Sequence, residues 1–491
     1  MTLRAAIASG FLAALASDSL AQRRFVEWPR HVPDVLFPNL ACADVDRDGD
    51  IDIVSLRGHG SIGIHINDGE GQFSDESALR APPRLSNPGF FFAVRDIDGD
   101  GDLDILAESN VLVNDGRGYF RDETAARYPR QILTWFQDLE ATDIDRDGDI
   151  DLLLIEGAPQ LPYIPHLWIN DGRGYFRDGT SRLRSTLHDS DQIFGDIDND
   201  GDVDLISSGV TNRDPAFVVL NNDGRGFFSL AWTEPQPDAG GGGALALLDY
   251  DADGDLDLYI SRLPDRLYRN DGQAGWREDT SAIVAGPQQW GGFIIVGDFT
   301  QDGRPDILKV NTWSGYDCAL LINDGRNRLV ADPTAVISRM VSGRGGAAGD
   351  LDGDGDLDMA TAVLVMFPPS APKGIAIDMN LDRQIVAAAP PKLGQPYNLD
   401  LWSLRTPAGF LPFAAIGRAV IPLPDLGILR LDPTTMVALG AWPITGSNTK
   451  FTLPLPIPSL PVLQGVPLSV QAAVVRDNRV RLSNAVTQKI Q

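Results

Sequence analysis

The sequence predicts an all-β protein: a seven-bladed β-propeller followed by a small C-terminal β-sandwich. Three observations predict it. An acidic nine-residue pattern recurs seven times at a near-constant interval. An Asn-Asp-Gly signature follows six of the copies. The 491 residues include 50 Gly and 34 Pro, which favours many turns and few long helices.

The chain is long enough for two or three domains, at about 100–200 residues each. Hydrophobic residues make up 43% and charged residues 22%, as in ordinary globular chains. The N-terminus reads as an export signal over residues 1–21. Arg4 precedes an apolar run from Ala5 to Ala16, and Ser19-Leu20-Ala21 supplies the small residues of a cleavage site. The run is shorter than the roughly 20 residues that span a bilayer. The mature chain is therefore expected to have no membrane span and to be secreted, extracellular or on the cell surface, with the periplasm also open.

The propeller is expected over residues 22–366. The pattern D-x-D-x-D-G-D-x-D begins at Asp44, Asp96, Asp143, Asp196, Asp249 and Asp350, with a degenerate copy at Asp298. Successive starts are 52, 47, 53, 53, 49 and 52 residues apart. A period of about 50 residues means an array or a propeller. A short run such as Phe90–Val94, Ala244–Leu248 or Phe293–Val296 precedes the pattern. A strand-like run follows it: Ile51–Ser55, Leu103–Ala107, Ile150–Ile155, Val203–Ser207 and Leu256–Ile260. Asn-Asp-Gly then recurs at Asn67, Asn114, Asn170, Asn222, Asn270 and Asn323, usually with an aromatic after it (Phe73, Phe120, Phe176, Phe228, Trp276). This is a hairpin signal, because both turn positions tolerate positive φ. Each repeat thus supplies four short antiparallel strands, as a propeller blade does. The seventh copy has a strand, Met359–Val365, but no Asn-Asp-Gly after it. The segment Phe25–Trp28 is an orphan ahead of the first repeat and is expected to complete the last blade.

The formal net charge is −27, which argues against nucleic-acid binding. The seven windows hold 33 of the 68 acids and three Arg, a net −30, which leaves the rest of the chain at +3. The acid therefore belongs to seven short loops. Calcium takes six to eight oxygens, and carboxylates at alternating positions converge when the chain curls around it. Gly at position 6 permits the turn, position 7 offers its backbone carbonyl, and position 9 adds further carboxylate oxygens. The candidate ligands are Asp44, Asp46, Asp48, Asp50 and Asp52 in the first loop, and Asp96, Asp98, Asp100, Asp102 and Asp104 in the second. The third has Asp143, Asp145, Asp147, Asp149 and Asp151; the fourth Asp196, Asp198, Asp200, Asp202 and Asp204. The fifth has Asp249, Asp251, Asp253, Asp255 and Asp257; the seventh Asp350, Asp352, Asp354, Asp356 and Asp358. The sixth keeps Asp298, Asp302 and Asp306, with Thr300 and Arg304 in place of two Asp, and is expected to be the weakest or an empty site. Six or seven Ca2+ sites are expected. An EF-hand would place Glu at position 12 between helices. Magnesium would keep more waters and fewer protein ligands.

These residues resemble the FG-GAP/VCBS repeat family, the calcium-binding propellers that include integrin α-subunit heads and many secreted bacterial proteins. The resemblance covers roughly Phe25 to Val365, about 70% of the chain. Phe194-Gly195 and Gly157-Ala158-Pro159 are similar to the dipeptide and tripeptide that name the repeat. Most copies lack those letters, so the secreted bacterial branch fits better than an integrin head. The resemblance implies a propeller, calcium loops and an extracellular interaction role.

The acidic loops and Asn-Asp-Gly turns are expected on one face. The irregular connections are expected on the other, with Arg80, Arg84, Arg127, Arg130, Trp135, Arg182, Arg184, Trp232, Trp290 and Trp313. Arg beside aromatics suits sugars or an anionic polymer, whereas Trp packed between blades and solvated Arg is the plainer alternative. His31, His59, His65, His166 and His188 are scattered, and no GxSxG occurs, so no catalytic residue stands out. Cys42 and Cys318 fall in blades that are not neighbours and are expected as free thiols. Residues 367–374 read as a Pro-rich linker. Residues 375–491 read as the sandwich, with strands at Tyr397–Trp402, Ala419–Leu423, Gly427–Leu431, Lys450–Leu455 and Leu468–Val475. The expected function is binding or adhesion to an extracellular protein or glycan with calcium structural. A lectin-like propeller and a calcium-dependent polysaccharide-active enzyme are the alternatives.

Overall fold

The computed structural model describes residues 25–27, 32–33, 39–57, 61–69, 71–85, 91–107, 109–129, 136–157, 164–183, 187, 191–208, 217–234, 243–272, 275–286, 293–310, 318–333, 335, 341–363, 374–380, 385–387, 390–402, 408–416, 418–423, 427–439, 441–444, 450–476 and 479–491. The expected signal segment and Trp135, Trp290 and Trp313 lie outside them, as do Arg130 and Arg184.

Short strands form because apolar and β-branched runs are cut by Asp/Gly loops every few residues. The first repeat pairs Leu40–Ala43, Asp52–Arg57, Ser61–Asn67 and Phe73–Asp75 into one antiparallel sheet. Among the described residues, six further sheets with a four-strand core follow the same plan. Their first strands are Phe92–Arg95, Phe136–Thr142, Gln192–Gly195, Ala244–Leu248, Phe293–Gly297 and Val341–Gly349. Each first strand touches the next, and the seventh touches the first, so the sheets close a ring. Each seam has its own hydrophobic core. Val54, Leu56 and Ile64 meet Ile105, Leu112 and Phe120 between the first two sheets. Leu40 and Ile53 meet Ile375 and Ile377 between the first and the seventh. Gly195 allows this closeness, since a Cβ there would lie 2.6 Å from Leu247 Cδ1.

The seventh sheet differs from expectation in one strand. Gly374–Asn380, placed by sequence across the linker and the C-terminal region, pairs with Asp358–Val363 as the third strand. Phe25–Glu27 pairs with its far edge, Val26 opposite Met379, and Val32–Pro33 pairs with Gly374 and Ile375. The N-terminal segment is thus the outer strand. The next described strand, Ile385–Ala387, pairs with Pro396–Trp402 and not with this sheet.

The C-terminal region forms two larger antiparallel sheets and a hairpin. Ile385–Ala387, Pro396–Trp402 and Lys450–Pro456 make one. Ala408–Ile416, Pro467–Arg476 and Arg479–Lys489 dominate the other. Tyr397, Leu399 and Leu453 of the first share a core with Phe410, Val470 and Val474 of the second. Arg418–Leu423 and Gly427–Leu431 form the hairpin. No helix among the described residues is long and apolar enough to cross a membrane.

Candidate metal centres

Each acidic loop joins the first strand of a sheet to the second. The second strand begins at position 9, Asp52 or Asp104 for instance, one residue later than the sequence suggested. Two left-handed residues curl the loop. Position 6 is Gly, as expected. Position 4 also has positive φ in every copy: Arg47, Gly99, Arg146, Asn199, Ala252, Gln301 and Gly353. The Asn-Asp-Gly turn differs from expectation, because only its Gly is left-handed (Gly69, φ 74°). Its Asn Oδ1 accepts from the turn's own glycine, Gly69 N to Asn67 Oδ1 at 3.0 Å, while its amide nitrogen is committed elsewhere.

The aspartates divide their oxygens between building the loop and facing its centre. At position 1, one oxygen caps the turn: Asp44 accepts from Gly49 N at 3.0 Å and Asp143 from Gly148 N at 3.1 Å. At position 5, Asp48 accepts from Asp50 N at 2.9 Å. At position 9, both oxygens accept backbone N–H. Asp104 takes Ile97 N at 3.2 Å and Asn114 N at 2.8 Å, and Asp151 takes Ile144 N at 3.1 Å and Asn170 N at 2.8 Å. The remaining oxygens converge. Oδ1 of Asp44, Asp46, Asp98, Asp143 and Asp196 is buried without a hydrogen-bond partner. Carboxylate oxygens from Asp96, Asp98 and Asp104 lie within 4.8 Å of one another, as do those from Asp143, Asp145 and Asp151, from Asp196, Asp198 and Asp204, from Asp249, Asp251 and Asp257, and from Asp44, Asp46 and Asp48. Buried, unpaired oxygens at positions 1 and 3, gathered against the hydrogen-bonded position-9 carboxylate, are the donor set of a hard cation.

The electrostatics agree. Burial pushes the position-9 carboxyls Asp52, Asp104, Asp151 and Asp204 up to about 7, and Asp257 up to about 8. Burial, followed by the neighbouring carboxylates, also raises Asp358. A bound cation would reverse this penalty.

Position 7 turns its side chain outward to the seam. Asp102 pairs with Arg47 at 2.6 Å, and Asp255 accepts from Asn199 Nδ2 at 2.5 Å. Only the backbone carbonyl of position 7 is left for a metal in these loops.

The sixth loop is wound differently. Asp306 Oδ2 accepts from Thr300 N, six residues back, where the other copies reach seven. Arg304 pairs with Asp302 and donates to the Asn323 carbonyl at 3.2 Å. A built-in cation thus occupies one of its three carboxylates.

Two sets of side chains take roles that the sequence pattern does not reveal. The first is the Asn of each turn. Asn114 Nδ2 donates to the Val45 carbonyl of the preceding loop at 2.8 Å, and Asn170 to Ile97 at 2.7 Å. Asn222, Asn270 and Asn323 reach Ile144, Ile197 and Tyr250. Asn380 reaches Phe299 at 3.0 Å, and Asn67 closes the circuit on Leu351 at 2.8 Å. The second set is Arg80, Arg127 and Arg182, expected on the opposite face. A one-turn helix after the outer strand aims each of them at an acidic loop. Thr124 Oγ1 pins one such helix by accepting from Val111 N at 2.9 Å. Arg127 then pairs with Asp98 at 3.0 Å, donates to the Arg173 carbonyl at 2.6 Å and stacks over Tyr175 at 5.3 Å. Arg80 and Arg182 repeat the arrangement on Asp46 with Tyr119 and on Asp145 with Phe227. Trp232 packs against Phe217 and Trp276, between sheets. His65 is buried against Ser55, and His166 pairs with Glu156 at 2.7 Å. Cys42 and Cys318 form no disulfide.

A ring of antiparallel sheets with acidic loops on one face defines a β-propeller. The FG-GAP-like repeat profile matches residues 44–107 and 196–260, and the chain carries FG-GAP-like repeats. No curated protein matches it in sequence. Its structure is similar to that of a fungal alcohol oxidase of the AA5 family in complex with copper, with TM-score 0.50 and 10% identity over 95% of this chain and 100% of that one. It also resembles BBS1N from a complex with ARL6DN, with TM-score 0.47 and 10% identity over 73% of this chain and 98% of that one. At 10% identity the likeness to the oxidase concerns the fold alone.

Proposed function

We propose that the protein is a secreted, calcium-stabilised propeller that acts as a binding or adhesion module for an extracellular protein or glycan. The observation that carries the calcium reading is the repeated set of buried, inward-facing oxygens without partners on Asp44, Asp46, Asp98, Asp143 and Asp196. Calcium would supply charge neutralisation there, and the residues at positions 1, 3, 5 and 9 with the position-7 carbonyl would hold it. At a dissociation constant of about 0.1 mM and about 1 mM calcium, each filled site adds roughly 1.4 kcal/mol. Chelation should therefore lower the melting temperature by many degrees, and restored calcium should return it. An unchanged melt after chelation would count against the reading. Export is supported by the N-terminal sequence and by the need for a calcium-rich compartment.

A glycan ligand is favoured over a protein by one feature. Tyr119 and Tyr175 are 38% and 45% exposed, each beside an Arg, in equivalent turns of successive sheets. Aromatic faces at repeated positions suit stacking on sugar rings. A glycan array with and without chelator tests this; binding abolished by Tyr119→Ala with Tyr175→Ala supports the glycan reading.

A further inference from the structure

At several seams the fourth residue of one acidic loop reaches the next loop. Arg47 pairs with Asp102 at 2.6 Å, and Arg146 donates to the Asp200 carbonyl at 3.5 Å. Asn199 donates to Asp255 at 2.5 Å and Gln301 to the Gly355 carbonyl at 3.1 Å. The seam between the seventh and first sheets has no such side chain, because the fourth residue of the seventh loop is Gly353. A guanidinium is present there nonetheless. It belongs to Arg430, on the C-terminal strand Gly427–Leu431, and its Nη2 pairs with Asp50 Oδ1 at 2.8 Å. Asp50 holds position 7 of the first loop, as Asp102 does in the second.

The seat is closely shaped. Arg430 is 1% exposed. A Cβ on Gly353 would lie 2.3 Å from Nη2, and one on Gly69 would lie 2.2 Å from Nη1, so two glycines make room for the group. Its base is anchored in the C-terminal sheets: Arg430 N donates to Gln471 Oε1 at 2.9 Å, and Gln471 Nε2 donates to the Ser483 carbonyl at 2.9 Å. Nε and Nη1 are buried without a hydrogen-bond partner among the described residues, and Asp50 is the carboxylate that pairs with Nη2.

We propose that Arg430 docks the C-terminal sheets onto the acidic-loop face where the ring closes. It takes, from a distant part of the chain, the seat that a fourth-position side chain fills at other seams. A buried pair of this kind is costly to split, since either partner left alone is an uncompensated buried charge.

Two full-length variants test this. Arg430→Ala removes the group. Gly353→Arg places the missing side chain in the loop, at φ 74° where Arg47 and Arg146 adopt 61°, and evicts Arg430 from its seat. In both, small-angle scattering should show a larger radius of gyration. Proteolysis between the seventh sheet and the C-terminal sheets should quicken by at least about tenfold, the effect of losing a buried charge pair on the docked fraction. Should Gly353→Arg not fold, Asp50→Asn, which keeps the shape and removes the charge, takes its place. Unchanged scattering and cleavage in Arg430→Ala overturn the proposal. A lowered melting temperature with unchanged scattering also overturns it, because Arg430 would then serve the seam alone.

Discussion

The asparagine of each turn shows how one side chain serves two levels of structure. Asn170 Nδ2 donates to Ile150 in its own loop at 3.0 Å and to Ile97 in the preceding loop at 2.7 Å. Replacing Asn170 by Ala leaves buried carbonyls unpaired, which should destabilise the protein by about 1–3 kcal/mol in chemical denaturation. Arg173→Ala, at an exposed side chain three residues on, should stay within about 0.5 kcal/mol. Equal effects from the two would refute the staple. The letter Asn was legible in six copies, because Asn-Asp-Gly announces a turn. Its role was not, because the partner carbonyl lies 73 residues away in sequence. Asn380 keeps the bond to Phe299 without an Asn-Asp-Gly signature to reveal it. Arg127 was misplaced because only the helix Thr124–Arg127 aims it at the acidic face.

At the scale of the loop, burial and charge set a pH dependence. The position-9 carboxyls of Asp52, Asp104, Asp151, Asp204 and Asp306 are raised to about 7 by burial, against 3.8 in the unfolded chain. A raised folded value favours the protonated form, so the stability they contribute is full below about 4 and is lost as pH rises through about 7. Calcium-free protein should therefore melt lower at pH 8 than at pH 5. Calcium favours the carboxylates and should flatten that slope. Calorimetry at the two pH values with chelator and with calcium checks this; a metal-free melt that rises from pH 5 to pH 8 contradicts it. The sixth loop is expected to gain least from calcium, since Arg304 already pairs with Asp302. The substitutions at Thr300 and Arg304 made that weakness legible. The altered winding, with Asp306 bonded to Thr300 N, was visible only in the structure.

For the whole molecule, the decisive contact is the closure of the ring. Phe25–Glu27 and Val32–Pro33 pair with Gly374–Asn380 and so join the start of the chain to the seventh sheet. Deleting residues 23–33 would bare that strand's edge and loosen the last sheet. The melting temperature should fall by at least about 5 °C, more than a surface truncation would cause. A melt unchanged within error would show that closure rests on the seam cores alone.

The sequence by itself determined the repeats, the acidic loops, the all-β class and the orphan strand at the N-terminus, because each is written in local spacing and composition. Tertiary structure decided what joins the repeats. Asn67 bonding to Leu351, Gly374–Asn380 completing the seventh sheet and Arg430 reaching Asp50 all depend on residues far apart in the chain. Such contacts leave no local pattern. They form only when seven sheets have closed a circle and brought its two ends together.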